Sequence, residues 1–193
     1  AFEARVELMK KRNSVVIAMP RVLNMYAQTP FYTAYFESLG VNPGNIIFSE
    51  YTSEELYKEG AKRGAIDPCF PSKIGIPHIH NLIYKIHKKK KIDYIFFPIV
   101  DTIPSDLIYA QQHHACPTVT ATVEAAKAAF IKESDMFKDA GIEYVNTYLY
   151  MTEKKLCAKQ MFDEWGPKLG LSKEENDRAI EQAYWALDKY HVD

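Results

Sequence analysis

Long apolar runs are absent from this chain of 193 residues. No stretch of about 18 apolar residues occurs, so no transmembrane helix is predicted. The first residues, Ala1–Arg5, lack the charged-then-apolar pattern of a secretory signal. Cysteine is scarce as well, because Cys69, Cys116 and Cys157 are too few and too far apart for a secreted disulfide framework. We therefore expect a cytoplasmic protein whose cysteines are reduced thiols or metal ligands.

An excess of charge of either sign is also missing. The 24 Lys and Arg residues balance 25 Asp and Glu residues, and the formal net charge is −1. Such a chain has no electrostatic reason to bind nucleic acid or an anionic membrane, and we predict neither as a partner. The basic run Lys85–Lys91 is interpreted as a solvated helix end, because lysines at a helix C-terminus complement its dipole.

Apolar segments alternate with amphipathic segments, which is typical of an α/β fold with a mainly parallel sheet. Strands are predicted at residues 14–19, 45–49, 92–98, 118–120 and 143–146. Helices are predicted at residues 21–39, 52–63, 71–91, 122–130, 153–169 and 172–190, with caps at Thr52, Thr122 and Ser172 and a break near Gly166. Residues 1–13 are polar and are predicted to be an N-terminal extension or linker. We expect residues 14–193 to form a single domain excised from a larger protein.

Cys69 is the most informative position in the sequence. A cysteine between Pro68 and Pro71 at a helix entry is a poor core residue and a plausible metal ligand. The alternative is that Cys69 packs as a small apolar side chain, as free cysteines usually do. The sequence alone leaves both interpretations open.

A second group of possible ligands lies in the polar loop at residues 101–117. His113 and His114 precede Cys116 there, and all three side chains are of types that bind metals. Loop histidines without a defined spacing are more often merely exposed. Cys157 lies inside a predicted helix and is interpreted as a packing residue.

Ligands of a parallel α/β sheet gather at the carboxyl ends of its strands. Several polar residues fall at predicted strand or helix ends, where they are placed to contact an anionic ligand or a partner: Arg21, Asn24, Lys73, His78 and Asp101. The alternative is structural, because Asn and Asp are suited to capping turns and Lys and His to ordinary helix surfaces.

Four motifs in this order resemble one known family: Ala18–Tyr26, Asp67–Lys73, Tyr94–Pro98 and Ala115–Thr122. They are similar to the domain of unknown function in large acyl-CoA dehydratase activases, which are relatives of the 2-hydroxyglutaryl-CoA dehydratase activator. The resemblance covers roughly residues 14–190. It implies a Rossmann-like three-layer domain with a short, mainly parallel sheet and a helical C-terminal segment.

The resemblance also implies a cofactor and partners. Related dehydratase subunits and double-cubane cluster proteins hold iron–sulfur clusters through cysteines, so Cys69 and Cys116 are expected to ligate a cluster, of the 4Fe–4S type or another, for low-potential electron transfer. Expected partners are other domains of the parent activase and a dehydratase component. The large activases also contain ATP-hydrolysing domains, but this chain has no glycine-rich phosphate loop like theirs, and ATPase activity is not transferred to it.

Two cysteines do not complete the usual four-thiolate site, so the remaining ligands are expected from outside this chain. The alternative is that the isolated domain binds no cofactor. Cys116 precedes a predicted strand whereas Cys69 precedes a helix, so the loop between 101 and 115 must bring Cys116 to the side of Cys69. Two other functions stay open. One is a scaffold or interaction domain, and the other is a domain that binds CoA or a nucleotide at Arg21 and Lys73.

Overall fold

A computed structural model describes residues 2–64, 69–105, 109 and 113–192 of the chain. Asp67 and Pro68 of the second motif lie outside these residues. The strands are β1 (Ile17–Met19), β2 (Ile46–Phe48), β3 (Tyr94–Phe96), β4 (Ile99–Thr102), β5 (Glu143–Val145) and β6 (Tyr148–Tyr150). The helices are α1 (Phe2–Ser14), α2 (Met25–Ser38), α3 (Glu54–Gly60), α4 (Phe70–Lys73), α5 (Gly75–Asn81), α6 (His87–Lys89), α7 (Pro117–Ile131), α8 (Met136–Ala140), α9 (Lys154–Leu169) and α10 (Lys173–Val192). A π-helical turn, Leu82–Ile86, joins α5 to α6.

The main sheet is parallel, with the strand order β2-β1-β3-β5. Ile17 of β1 pairs with Ile46 of β2 on one side and with Tyr94 of β3 on the other. Every residue of β1 is fully buried, as expected for a strand covered on both faces. The predicted strands at 14–19, 45–49, 92–98 and 143–146 are therefore confirmed, and so is the α/β class with a mainly parallel sheet.

The helices form two groups around this sheet. One group contains α1, α2, α9 and α10, with α2 and α10 in extensive contact, and the other contains α3 to α8. The chain moves from β1 to β2 in one direction and from β2 to β3 in the other, so right-handed crossovers put these connections on opposite faces. This arrangement is the expected three-layer, Rossmann-like fold with a helical C-terminal segment. Among the described residues, no helix combines the length and apolar character needed to cross a bilayer.

Aromatic side chains fill the core between the sheet and the C-terminal helices. Trp165 of α9 is fully buried and meets Phe36, Tyr94 and Phe96 edge to face, at centroid distances of 4.8, 5.3 and 5.4 Å. The predicted break of this helix near Gly166 is wrong, because α9 continues to Leu169. Burial of the Trp165 ring at this point holds the last turn of the helix in place.

The predicted strand at 118–120 is also wrong. These residues form the first turn of α7, which begins at Pro117. The β-branched threonines suggested a strand, but Pro117 is well suited to a first helical position. Thr122 is therefore not a cap, and its hydroxyl bonds the carbonyl of Thr118 inside the helix at 2.6 Å.

The cap of α3 differs from the prediction by one residue. Ser53, not Thr52, accepts the hydrogen bond from the backbone N–H of Leu56. The predicted capping box of α10 is confirmed, because Ser172 and Glu175 each accept from the other's backbone N–H.

A second, two-stranded parallel sheet was not predicted. Its strands β4 and β6 pair directly after the ends of β3 and β5, with Ile99 opposite Tyr148. Thr102 of β4 also forms an isolated antiparallel bridge with His114. This bridge returns the loop after β4 to the carboxyl side of the main sheet.

Arg12 in α1 is a buried charge, with 2% of its side chain exposed. Its Nε donates to the carbonyl of Leu169, and Nη1 and Nη2 donate to the carbonyls of Leu39 and Gly170. Both Nη groups also bond the carboxylate of Glu175, at 3.1 and 2.9 Å. These hydrogen bonds lower the pKa of Glu175 to about 2. One guanidinium thus joins the ends of α2 and α9 to the start of α10.

We expect Arg12→Met to reduce the free energy of unfolding by about 3–5 kcal/mol, because it leaves three carbonyls and a carboxylate without their donor. Urea unfolding at pH 7 measures this loss. The Glu175 contribution is present above its unfolded pKa, near 4.5, and disappears as the pH falls to about 2. The variant should therefore lose less stability than wild type across that interval.

The matched control is Arg5→Met, because Arg5 also pairs with Glu175 but is 68% exposed. We expect it to change the free energy of unfolding by less than about 1 kcal/mol. Equal losses in the two variants would contradict the role assigned to the buried arginine.

Candidate functional site

Two of the three cysteines lie at the starts of neighbouring helices. Cys69 directly precedes α4 and is half-buried, while Cys116 directly precedes α7 and is exposed. The backbone N–H of Lys73 bonds the carbonyl of Cys69, and the N–H of Val119 bonds the carbonyl of Cys116, which closes the first turn in each case. Each cysteine therefore directly precedes a helix, which was predicted for Cys69 but not for Cys116.

The segments that follow the two cysteines pack side by side and run in the same direction. The hydroxyl of Ser72 lies 3.5 Å from the carbonyl of Thr118, three and two residues beyond the respective cysteines. Further on, Gly75 lies so close to Thr122 that an added Cβ atom would come within 2.7 Å of its methyl group. Because successive positions stay in contact, the two cysteines lie at the same end of this helix pair.

The surroundings of Cys116 favour its thiolate. The polar groups of the first helical turn lower the pKa of the Cys116 thiol, first the backbone N–H and hydroxyl of Thr118 and then the backbone N–H of Val119. The sulfur also lies at the N-terminus of a 15-residue helix, where negative charge is stabilised. Such a sulfur is suited to bind a metal or to react with an electrophile.

Cys157 has the opposite environment. It is fully buried in α9, and burial raises the pKa of its thiol to about 11. A protonated thiol in the core is neither a metal ligand nor a nucleophile. This environment fits the packing role that the sequence analysis gives to Cys157.

Asp101 and His114 form a pair beside Cys116. The Nδ1 of His114 donates to the Asp101 carboxylate at 2.9 Å, and the backbone N–H of Ala115 donates to the Asp101 carbonyl. Within the described ranges, however, no group of three His, Cys, Asp or Glu side chains is arranged to hold a metal ion. This part of the chain therefore offers two accessible thiols, and not a complete ligand set.

A second polar cluster surrounds the ends of β1 and β2. His78 is fully buried, with Nδ1 at 2.7 Å from the Ser49 hydroxyl and Nε2 at 3.0 Å from the Thr52 hydroxyl. The Ser49 hydroxyl also accepts the backbone N–H of Arg21 at 2.8 Å, so Ser49 joins Arg21 to His78. Burial, followed by the charge of Arg21, lowers the pKa of His78 to about 4.

The other predicted contact residues lie close to these clusters in the chain. Asn24 precedes α2, but its side chain does not cap the helix. The residue before it, Leu23, has a φ of 54°, a strained conformation for a branched side chain. Lys73 ends α4 and is half-buried. The structure thus divides the predicted residues into a group near the cysteines and a group around Arg21.

Sequence reasoning missed the partners of these residues. Ser49 ends a predicted strand, and the rule that ligands gather at strand ends was sufficient to find it. The rings of Phe48 and Tyr51, which enclose the Arg21 guanidinium, gave no comparable signal.

Comparison with known proteins identifies one family. The family model described as the CoA enzyme activase uncharacterised domain matches residues 16–193. No curated protein sequence and no solved structure matches the chain. The match confirms the resemblance that the four sequence motifs carry.

The histidine cluster predicts a specific pH dependence of stability. Because the pKa of His78 is about 4 in the folded protein and near 6.5 when unfolded, the unfolded chain binds more protons between these values. The free energy of unfolding should therefore fall as the pH drops from 6.5 to 4, by up to about 3 kcal/mol from this residue. In His78→Gln this fall should be smaller, measured by urea unfolding at each pH.

The control for this experiment is His191→Gln, which removes an exposed histidine. It should keep the wild-type slope between pH 6.5 and 4. The lowered pKa values of His80 and His87 contribute to that slope in all three proteins and cancel in the comparison. A His78→Gln slope equal to that of wild type would contradict the assignment.

The cysteine environments predict a large difference in reactivity. In the native protein at pH 7, iodoacetamide should modify Cys116 well before Cys157, because the first thiol is exposed with a lowered pKa and the second is buried with a raised pKa. Peptide mass spectrometry over a time course measures each site, and both should react in urea. Equal native rates would show that the thiol environments are wrongly assigned.

Proposed function

Because the chain belongs to the family of the CoA enzyme activase uncharacterised domain, we propose that it serves an acyl-CoA dehydratase activase-like protein as an iron–sulfur-associated domain. In this proposal Cys69 and Cys116 supply thiolate ligands to the cluster. The observation that carries it is the packing of the two helices that start at these cysteines. When bound, such a cluster supplies one-electron transfer at low potential.

The donor chemistry supports this assignment. Iron–sulfur clusters are held by thiolates, and the lowered pKa of Cys116 reduces the cost of deprotonating its sulfur. The polar groups of Thr118 and Val119 that lower this pKa also favour negative charge at the site. A buried thiol such as Cys157 offers neither property.

The ligand set within this chain is incomplete, which bears on the partners. Two thiolates leave coordination positions open, and both proposed ligands lie at the surface end of their helices. We assign the missing ligands to another domain of the parent activase or to a dehydratase component. In this arrangement the chain holds one side of the cluster, and its partner excludes water and holds the other side.

The experiment that tests the proposal is anaerobic iron and sulfide reconstitution, followed by measurement of iron, acid-labile sulfide and the absorbance spectrum. It should be made on the longer parent chain as well as on this domain. We expect cluster in the wild-type parent, and a loss of most bound iron in both Cys69→Ser and Cys116→Ser, because each substitution removes a thiolate ligand.

The matched control is Cys157→Ser, which should retain the wild-type iron content because its thiol is buried away from the site. Circular dichroism of each variant checks that the fold is intact. Full iron content in both surface variants, or no cluster in the parent chain, would reject the iron–sulfur assignment. The latter result would leave a cofactor-free scaffold or interaction domain.

A further inference from the structure

Arg21 occupies a defined position at the carboxyl edge of the main sheet. It follows β1 by two residues, and its guanidinium contacts two aromatic rings, one at the end of β2 and one in the segment that follows β2. The Cζ atom is 4.8 Å from the centroid of Phe48 and 4.5 Å from that of Tyr51. The ring of Tyr51 is itself 71% exposed, so the pair reaches the surface. Ligands of parallel α/β sheets bind at this edge.

The orientation of this guanidinium is fixed on its inner side. The backbone N–H of Arg21 donates to the Ser49 hydroxyl at 2.8 Å, and Nε donates to the Ser49 carbonyl at 2.9 Å. Ser49 is held in turn by buried His78, and His78 by Thr52. Contact with the two rings alone would leave the guanidinium free to rotate in its own plane, and these hydrogen bonds prevent that rotation. The network therefore holds the plane of the guanidinium and the direction of its outer edge.

The outer edge of Arg21 is uncommitted. Its Nη1 and Nη2 groups make no hydrogen bond to any residue in the described part of the chain, whereas the other arginines with fixed positions use theirs. Both Nη groups of Arg12 donate to carbonyls and a carboxylate. Arg63, which also stacks on two rings, directs Nη1 to the sulfur of Met136 and Nη2 to the hydroxyl of Tyr84.

We propose that Arg21 anchors an oxyanion site, in which its two Nη groups bind two oxygens of a phosphate or carboxylate group on a small-molecule ligand. A guanidinium edge with two parallel N–H groups matches both oxyanions in geometry and charge. Contact with the Phe48 and Tyr51 rings holds the cation in place while its outer edge stays open to a ligand. This site uses different residues from the cysteine pair and does not depend on the iron–sulfur proposal.

The test follows the Nε–Hε signal of Arg21 by NMR while sodium phosphate, sodium acetate or sodium chloride is added at constant ionic strength. We expect a saturable shift with phosphate or acetate and a much weaker response to chloride, because a single chloride ion does not offer two separate oxygens to the two Nη groups. The signal of Arg63 should not move. Stronger binding of phosphate assigns the ligand group to a phosphate ester, and stronger binding of acetate assigns it to a carboxylate.

Variants distinguish binding by the two Nη donors of Arg21 from binding by its positive charge alone. Arg21→Gln should abolish the saturable response of the Tyr51 amide, and Arg21→Lys should weaken it about tenfold or more, because a lysine retains charge without two parallel donors. The control Arg63→Gln removes another arginine that contacts two aromatic rings, and it should leave binding within about twofold of wild type. The proposal is overturned by the absence of a saturable shift in wild type, by an equal response to chloride, or by binding that persists in Arg21→Gln.

Discussion

The length of the strands constrains everything that surrounds the main sheet. Each of its strands has three residues, so the sheet is only about 10 Å deep along the strand direction. With helices on both faces, the described strand residues of this sheet are mostly buried, and Glu143 at the start of the edge strand β5 is an exception. Polar side chains therefore appear as soon as the strands end, as in Arg21 after β1 and Ser49 after β2. Both candidate sites depend on this rapid change from apolar core to polar edge.

The three cysteines show how the same thiol acquires different properties within one small fold. Polar groups of Thr118 and Val119 at a helix N-terminus lower the pKa of Cys116, while burial in the core raises that of Cys157. Cys69 shares the helix-entry position of Cys116 but is half-buried. The contacts between Ser72 and Thr118 and between Gly75 and Thr122 bring the two helix-entry cysteines to one end of a helix pair. Accessibility and local hydrogen bonding, rather than sequence spacing, thus distinguish a candidate ligand from a packing residue.

Buried elements could be predicted from the sequence, and elements defined by tertiary contacts could not. The run ending in Met19 reads as a strand because apolar side chains must fill both faces of a parallel sheet. Thr118 was misread because β-branched residues favour strands in general, yet here Pro117 begins a helix that packs on Gly75. The Asp101–His114 pair depends on an antiparallel bridge between distant residues, which leaves no periodic signal. The candidate site residues were found from motifs, while their mutual arrangement required the fold.

The position of Arg12 shows that the start of the family match differs from the start of the segment that contacts the domain core. The family match begins at residue 16, but the guanidinium that closes the ends of α2 and α9 lies four residues earlier. A fragment cut at the first matched residue would leave the carbonyls of Leu39, Leu169 and Gly170 without this donor. Similarity between sequences therefore marks what the family shares, whereas the contacts that close the ends of α2 and α9 also include a residue of the preceding helix.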